Sequence, residues 1–181
     1  MPPTTPYDDN MSDSSAIWLS PQQQHVWRSF LRFHDELNTV IARQLHNEGD
    51  LSLADFEVLV SLSEAPDGEL RVTLLADRML WERSRLSHQV SRMQKRGLVI
   101  RSDDPHDGRA SVVSVTDKGR KAIEHVAPGH VDTVRRNLFT QLEDGDVDYL
   151  SDLFDRLLNA IHTNNPEIPT CACPPAETTR T

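Results

Sequence analysis

The sequence predicts a mainly α-helical chain that carries one small β-hairpin. Three observations lead there. Between residues 20 and 163 most apolar residues recur at helical spacing. Within 98–115 the pattern shortens to short β-branched runs around an Asp-Gly turn. Residues 1–20 and 164–181 are polar, proline-bearing and without periodicity, so they read as a mobile arm and a disordered tail.

Each element has its own signal. Ser20-Pro21 opens a long first helix, with Ser20 as cap and Pro21 in the first turn. Trp27, Phe30, Leu31, Leu37, Val40, Ile41 and Leu45 then mark one stripe to about residue 47. Ser52 followed by Asp55 approximates a capping box for a second helix over 53–64. Pro66-Asp67-Gly68 is a turn. Thr73 is expected to cap a third helix through Leu80, burying Leu75, Ala76 and Met79. A fourth helix over 83–96 buries Leu86, Val90 and Met93, and Gly97 stops it.

Leu98-Val99-Ile100 and Val112-Val113 with Val115 read as two strands, with Ser102–Arg109 as the extended hairpin tip between them. Thr116 caps a fifth helix with the stripe Ile123, Val126, Ala127, Val131, Val134 and Leu138, in which Pro128-Gly129 is expected to bend or weaken the helix. The last helix, about 145–163, places Leu150, Leu153, Leu157 and Ile161 in a near-heptad seam, joined by Phe154 and Leu158.

Composition narrows the function. With 181 residues the chain holds one domain, or one domain plus a long helix pair, and is short for a two-domain enzyme. It has no apolar run of membrane-spanning length and no basic-then-apolar leader, so a cytoplasmic protein with no membrane partner is expected. Two cysteines exclude a disulfide framework or a four-cysteine zinc module. Seven glycines build no phosphate-binding loop, and no cofactor or resident metal is expected. No Ser/His/Asp, Cys/His or metal-spaced cluster converges on one place, which argues against an enzyme. The net charge is −9, yet residues 71–121 hold twelve Lys and Arg against six Asp and Glu, a local +6. A basic block inside an acidic chain is an electrostatic footprint for nucleic acid.

Two short helices, a tight connection, a basic helix and a hairpin follow the order of a winged helix-turn-helix, carried on an α-helical dimerisation region. If Leu86, Val90 and Met93 face the core, Arg85, Ser87, His88, Gln89 and Arg92 face outward, as donors to base edges and phosphates. Thr73 belongs to the same candidate surface. Ser84 and Ser87 lie near the helix N-terminus, where the dipole favours phosphate. Arg109 at the hairpin tip can enter a minor groove, with Asp107 holding its guanidinium. Arg78, Arg83 and Arg96 are alternatively lobe ion pairs, with Asp77 and Glu82 as natural partners.

At this point the sequence resembles the MarR family of bacterial transcription regulators. The resemblance rests on Leu75-Ala76-Asp77-Arg78, Leu86-Ser87-His88-Gln89-Val90-Ser91-Arg92-Met93, Arg96-Gly97-Leu98-Val99, Asp107-Gly108-Arg109 and Val115-Thr116-Asp117-Lys118-Gly119-Arg120. It covers about residues 20–163. It implies an obligate homodimer that binds double-stranded DNA at a pseudo-palindromic operator, usually as a repressor. It also implies, for many members, release by a small aromatic or phenolic ligand held between the lobe and the dimer helices. The long apolar stripes of the first, fifth and sixth helices agree with dimerisation, since one small lobe cannot cover them.

Trp27, Phe30 and His34 share a face of the first helix. They are either core or dimer packing, or a pocket wall where the rings stack an aromatic effector and His34 meets its polar group. Trp81, just before the basic helix, either packs the lobe or links a pocket to it, and Glu57 and Arg83 are further pocket candidates. The alternative function is a metal- or thiol-responsive repressor, using Cys171 and Cys173 with His162.

Overall fold

Local capping chemistry sets most helix boundaries. In the computed structural model, which describes residues 18–105 and 107–169 with the Arg109 side chain outside that description, α1 (Pro21–Gly49) starts on a reciprocal cap. Gln23 N–H donates to Ser20 Oγ at 3.2 Å and Ser20 N–H donates to Gln23 Oε1 at 2.8 Å. α2 (Leu53–Ser63) opens on the expected box, with Asp55 N–H donating to Ser52 Oγ at 3.1 Å and Ser52 N–H to Asp55 Oδ2 at 2.9 Å. The described residues form two compact units, divided in the sequence between Asp35 and Glu36. All core residues named below belong to the second.

A strand the sequence pattern did not announce comes next. β1 (Glu69–Arg71) leads directly into α3 (Val72–Arg78). Thr73 therefore does not cap this helix. It lies exposed in the first turn, and the cap position is Arg71, which makes no side-chain cap bond. Strand pairing fixes the chain direction at Arg71, and this sets the helix start two residues earlier. α3 closes through Leu80 at φ +52, with Trp81 N–H donating to the Ala76 carbonyl at 2.9 Å. A left-handed leucine costs roughly 1–2 kcal/mol, and the turn it makes is what delivers Trp81.

α4 (Arg83–Lys95) ends at Gly97, φ +74, with Gly97 N–H on the Gln94 carbonyl and Leu98 N–H on the Met93 carbonyl. β2 (Val99–Asp104) and β3 (Asp107–Val115) form the hairpin, and the sheet order is β1-β3-β2, all antiparallel. β1 pairs Leu70 with Val113, and β2 pairs Val99 with Val115, with a register shift between Asp103 and Asp104. Thr116 caps α5 (Asp117–Asn137), its Oγ1 accepting from Gly119 N–H at 3.0 Å. Pro128, where a bend or weakening is expected, does not end this helix. α5 runs unbroken through it, and at Gly129 the side chains of Gln44 and Glu48 occupy the space a Cβ would need. A 3₁₀ turn (Phe139–Gln141) precedes α6 (Asp146–Asn164).

The core gathers Ile41 and Leu45 of α1, Val58, Leu59 and Leu62 of α2, Leu75 of α3, Leu86, Val90 and Met93 of α4, Leu98, Val99 and Val113 around the sheet, and Val126 of α5. α6 buries no residue, and its Phe154, Leu157, Leu158 and Ile161 are exposed. No described helix is long and apolar enough to cross a membrane. Cys171, Cys173 and the readings placed on residues 1–17 and 170–181 lie outside the described residues.

Candidate nucleic-acid interface

α4 is held by one face and open on the other. Leu86, Val90 and Met93 are at most 1% exposed, which locks the helix against α2 and α3. Ser84, Arg85, His88 and Arg92 are exposed, and Ser87 is half-buried. The first turn holds no acid, and the cap residue Glu82 makes no side-chain cap bond, so the backbone N–H groups of that turn keep their polarity for an outside acceptor.

Gln89 departs from the outward placement expected of it. It is 2% exposed, and its Nε2 donates to Asp55 Oδ1 at 2.7 Å. The reason is geometric: position 89 follows Leu86 by three and precedes Met93 by four, so it lies within the buried stripe. The missed signal was Asp55, an acid in the first turn of α2 that is 3% exposed and needs donors from a neighbour.

The ion pairs within the lobe also differ from the expected ones. Arg96 Nη1 meets Asp55 Oδ2 at 2.7 Å, and Arg78 pairs with Glu64. Asp77 and Glu82 are not their partners, because both acids sit on or beside the short connection while Asp55 and Glu64 bracket α2. Arg83 has no ion pair among the described residues and stands exposed at the head of α4. Arg71 Nε meets Asp104 Oδ2 at 2.6 Å, tying the far end of β2 to the start of α3; Asp104 is 6% exposed. The expected Asp107–Arg109 pair falls on a side chain outside the description.

Arg85 lies with its guanidinium 3.9 Å over the Trp81 ring. Trp81 in turn lines an open cleft of about 340 Å³ with Phe56, Glu57, Val60, Ser61 and Met79. Burial pushes the Glu57 carboxyl above the usual carboxylate range, and the Arg85 charge offsets this only in part. Glu57 and Trp81 therefore line one cleft, whereas Arg83 is not among its lining residues. Within the first unit, Trp27 stacks near Phe30 (5.9 Å between centroids, 23°) and Phe30 near His34 (6.5 Å, 32°).

His130 is a residue the sequence reading passed over. Its ring lies 4.6 Å from that of Phe56, burial lowers its pKa, and Nδ1 has no hydrogen-bond partner among the described residues. Its spacing, four residues from both Val126 and Val134, was the available signal. Among the described residues no group of three His, Cys, Asp or Glu is placed to hold a metal.

Comparison with known proteins agrees with this architecture. The MarR family model matches residues 49–110. Sco3205 of Streptomyces coelicolor, a MarR family transcriptional regulator solved in complex with DNA, is 34% identical with a TM-score of 0.76, over 82% of this chain and 93% of that one. The chain belongs to the MarR family. AbsC, another MarR family regulator from Streptomyces coelicolor, is 30% identical with a TM-score of 0.76, over 82% of this chain and 99% of that one. The transcriptional repressor YetL of Bacillus subtilis is 29% identical over 135 residues, 73% of this chain and 80% of that protein. This MarR protein is thus a DNA-binding transcription regulator rather than an enzyme. Its helix-turn-helix is α3–α4 and its wing is β2–β3.

Proposed function

We propose that this MarR protein is a homodimeric repressor whose two α4 helices read successive major grooves of a pseudo-palindromic operator. The observation that carries this is the split face of α4: Arg85, His88 and Arg92 outward, Leu86, Val90 and Met93 fully buried. Ser84 and Ser87 serve phosphate near the helix N-terminus, and the wing residues Asp107 and Arg109 serve the adjacent minor groove. Dimerisation is supported by α6, an amphipathic helix whose seam residues Leu157 and Ile161 are 50% and 45% exposed in the single chain. The regulator domain is residues 21–163, acting in the cytoplasm.

The test is fluorescence anisotropy with the upstream intergenic DNA of its own gene at two salt concentrations. Competitor-resistant binding that weakens steeply with salt supports the reading. Failure across genomic fragments refutes it.

The same helix carries a second reading, release by a small aromatic effector. It is favoured by Arg85 resting on Trp81, whose ring also walls the cleft. The ionisable group lining that cleft is Glu57, a carboxyl pushed toward its neutral form. A phenol can donate its O–H to the Glu57 carboxyl, whereas an aromatic carboxylate brings no proton for it and sets a like charge beside it whenever Glu57 is ionised. Titrating the DNA complex with phenol and with benzoate separates the two, and stronger release by benzoate refutes the assignment to this cleft.

A further inference from the structure

α4 contains one polar residue that is buried yet bonded on both sides. Gln89 Nε2 donates to Asp55 Oδ1 at 2.7 Å, and Gln89 Oε1 accepts from the Arg92 guanidinium. We propose that Gln89 is a positioning residue for DNA binding, tethering Arg92 through a neutral amide so that its undiminished charge faces a backbone phosphate. The proposal rests on the reading of α4 as the DNA-contacting helix.

The chemistry of Asp55 dictates the direction of the tether. Its Oδ2 is already taken by Ser52 N–H at 2.9 Å, Ser52 Oγ at 2.8 Å and Arg96 Nη1 at 2.7 Å. Its Oδ1 therefore receives the amide NH₂ of Gln89, since the reversed amide would set oxygen against carboxylate. The amide oxygen must then point outward along α4, three residues on, where Arg92 stands. Arg96 neutralises Asp55, while Arg92 has no ion pair among the described residues. A guanidinium bound directly to a carboxylate would arrive at DNA already neutralised, and an unbound one would lose rotamer entropy on docking. A neutral tether avoids both losses. The recognition helix thus keeps a free positive charge in a fixed direction one turn before Arg96, which is committed to the lobe.

The experiment is a double-mutant cycle on operator affinity with Gln89→Met and Arg92→Ala, in the full-length protein. Methionine conserves volume at the buried position, and Gln89→Leu replaces it if that variant does not fold, as judged by urea unfolding. Arg92→Ala is expected to weaken binding about tenfold, the scale of one charge-assisted hydrogen bond. Its salt slope should fall by about 0.9 for each Arg92 engaged. Gln89→Met should show the same loss and the same fall in slope, although it removes no charge, and the double variant should be no worse than either single one. Additive losses, or a Gln89→Met variant with an unchanged slope, overturn the positioning role while leaving the regulator reading standing. A wild-type protein without salt-sensitive specific binding overturns the regulator reading, and this proposal with it.

Discussion

Gly119→Ala sets helix propensity against packing, and the two predict opposite signs. Gly119 lies in the first turn of α5, where alanine ordinarily gains up to about 1 kcal/mol over glycine. Here, however, an added Cβ falls on the backbone carbonyl oxygen of Leu98 and within 3.0 Å of a Val115 methyl and 3.1 Å of a Leu59 methyl. The methyl groups can yield by a few tenths of an ångström. The carbonyl cannot, because it accepts from Thr116 N–H at 3.1 Å and Thr116 Oγ1 at 3.0 Å, the residue that caps α5. Moving it breaks the cap as well, worth about 1 kcal/mol. Overpacking of about 1–3 kcal/mol plus the cap, less the propensity gain, leaves a net loss of about 1–3 kcal/mol. Urea unfolding at one fixed protein concentration reads this as a lower midpoint with an unchanged slope. An equal or higher midpoint would mean that α5 does not press on the β2 entry as described, and that the glycine answers to local propensity alone.

Three further outcomes are expected. Arg71→Ala removes the guanidinium from the buried Asp104 carboxylate beside the hairpin turn, which should cost about 1–3 kcal/mol in unfolding free energy and weaken operator affinity; unchanged values in both assays count against the wing anchor. His130 has a folded pKa below the ordinary 6.5, so in the interval beneath 6.5 the unfolded chain binds the extra proton. Stability should therefore fall as pH drops below about 6.5, an effect that Glu57, with its raised pKa, opposes nearer pH 4.5. Thermal midpoints between pH 5 and 8 should show the difference between wild type and His130→Gln changing through that interval, and a constant difference would refute it. Leu157→Glu with Ile161→Glu on the α6 seam should convert a particle of twice 20.5 kDa into a monomer by light scattering, while a persistent dimer would place the interface elsewhere.

Much of this protein was legible in its residues because the signals are local. Ser52 with Asp55, Thr116 and Gly97 act on backbone groups within a few positions, so the bounds of α2, α4 and α5 follow from the sequence. The stripe of Leu86, Val90 and Met93, with the residues around it, was enough to orient the recognition helix and place the chain among the MarR regulators. Tertiary structure alone decided what depends on partners far away in the chain. Glu69–Arg71 is a strand only because β3 presents an unpaired edge, and that pairing moved the start of α3 away from Thr73. Gln89 is buried because Asp55, 34 residues earlier, needs its amide, whereas polarity by itself placed it outward. Arg71, Arg78 and Arg96 count as charge in the sequence but serve as ties within the lobe, and only the fold separates them from Arg85 and Arg92. The physical reason is common to all of these. Backbone capping is satisfied within one turn, whereas a buried polar group takes whichever donor the folded chain brings beside it.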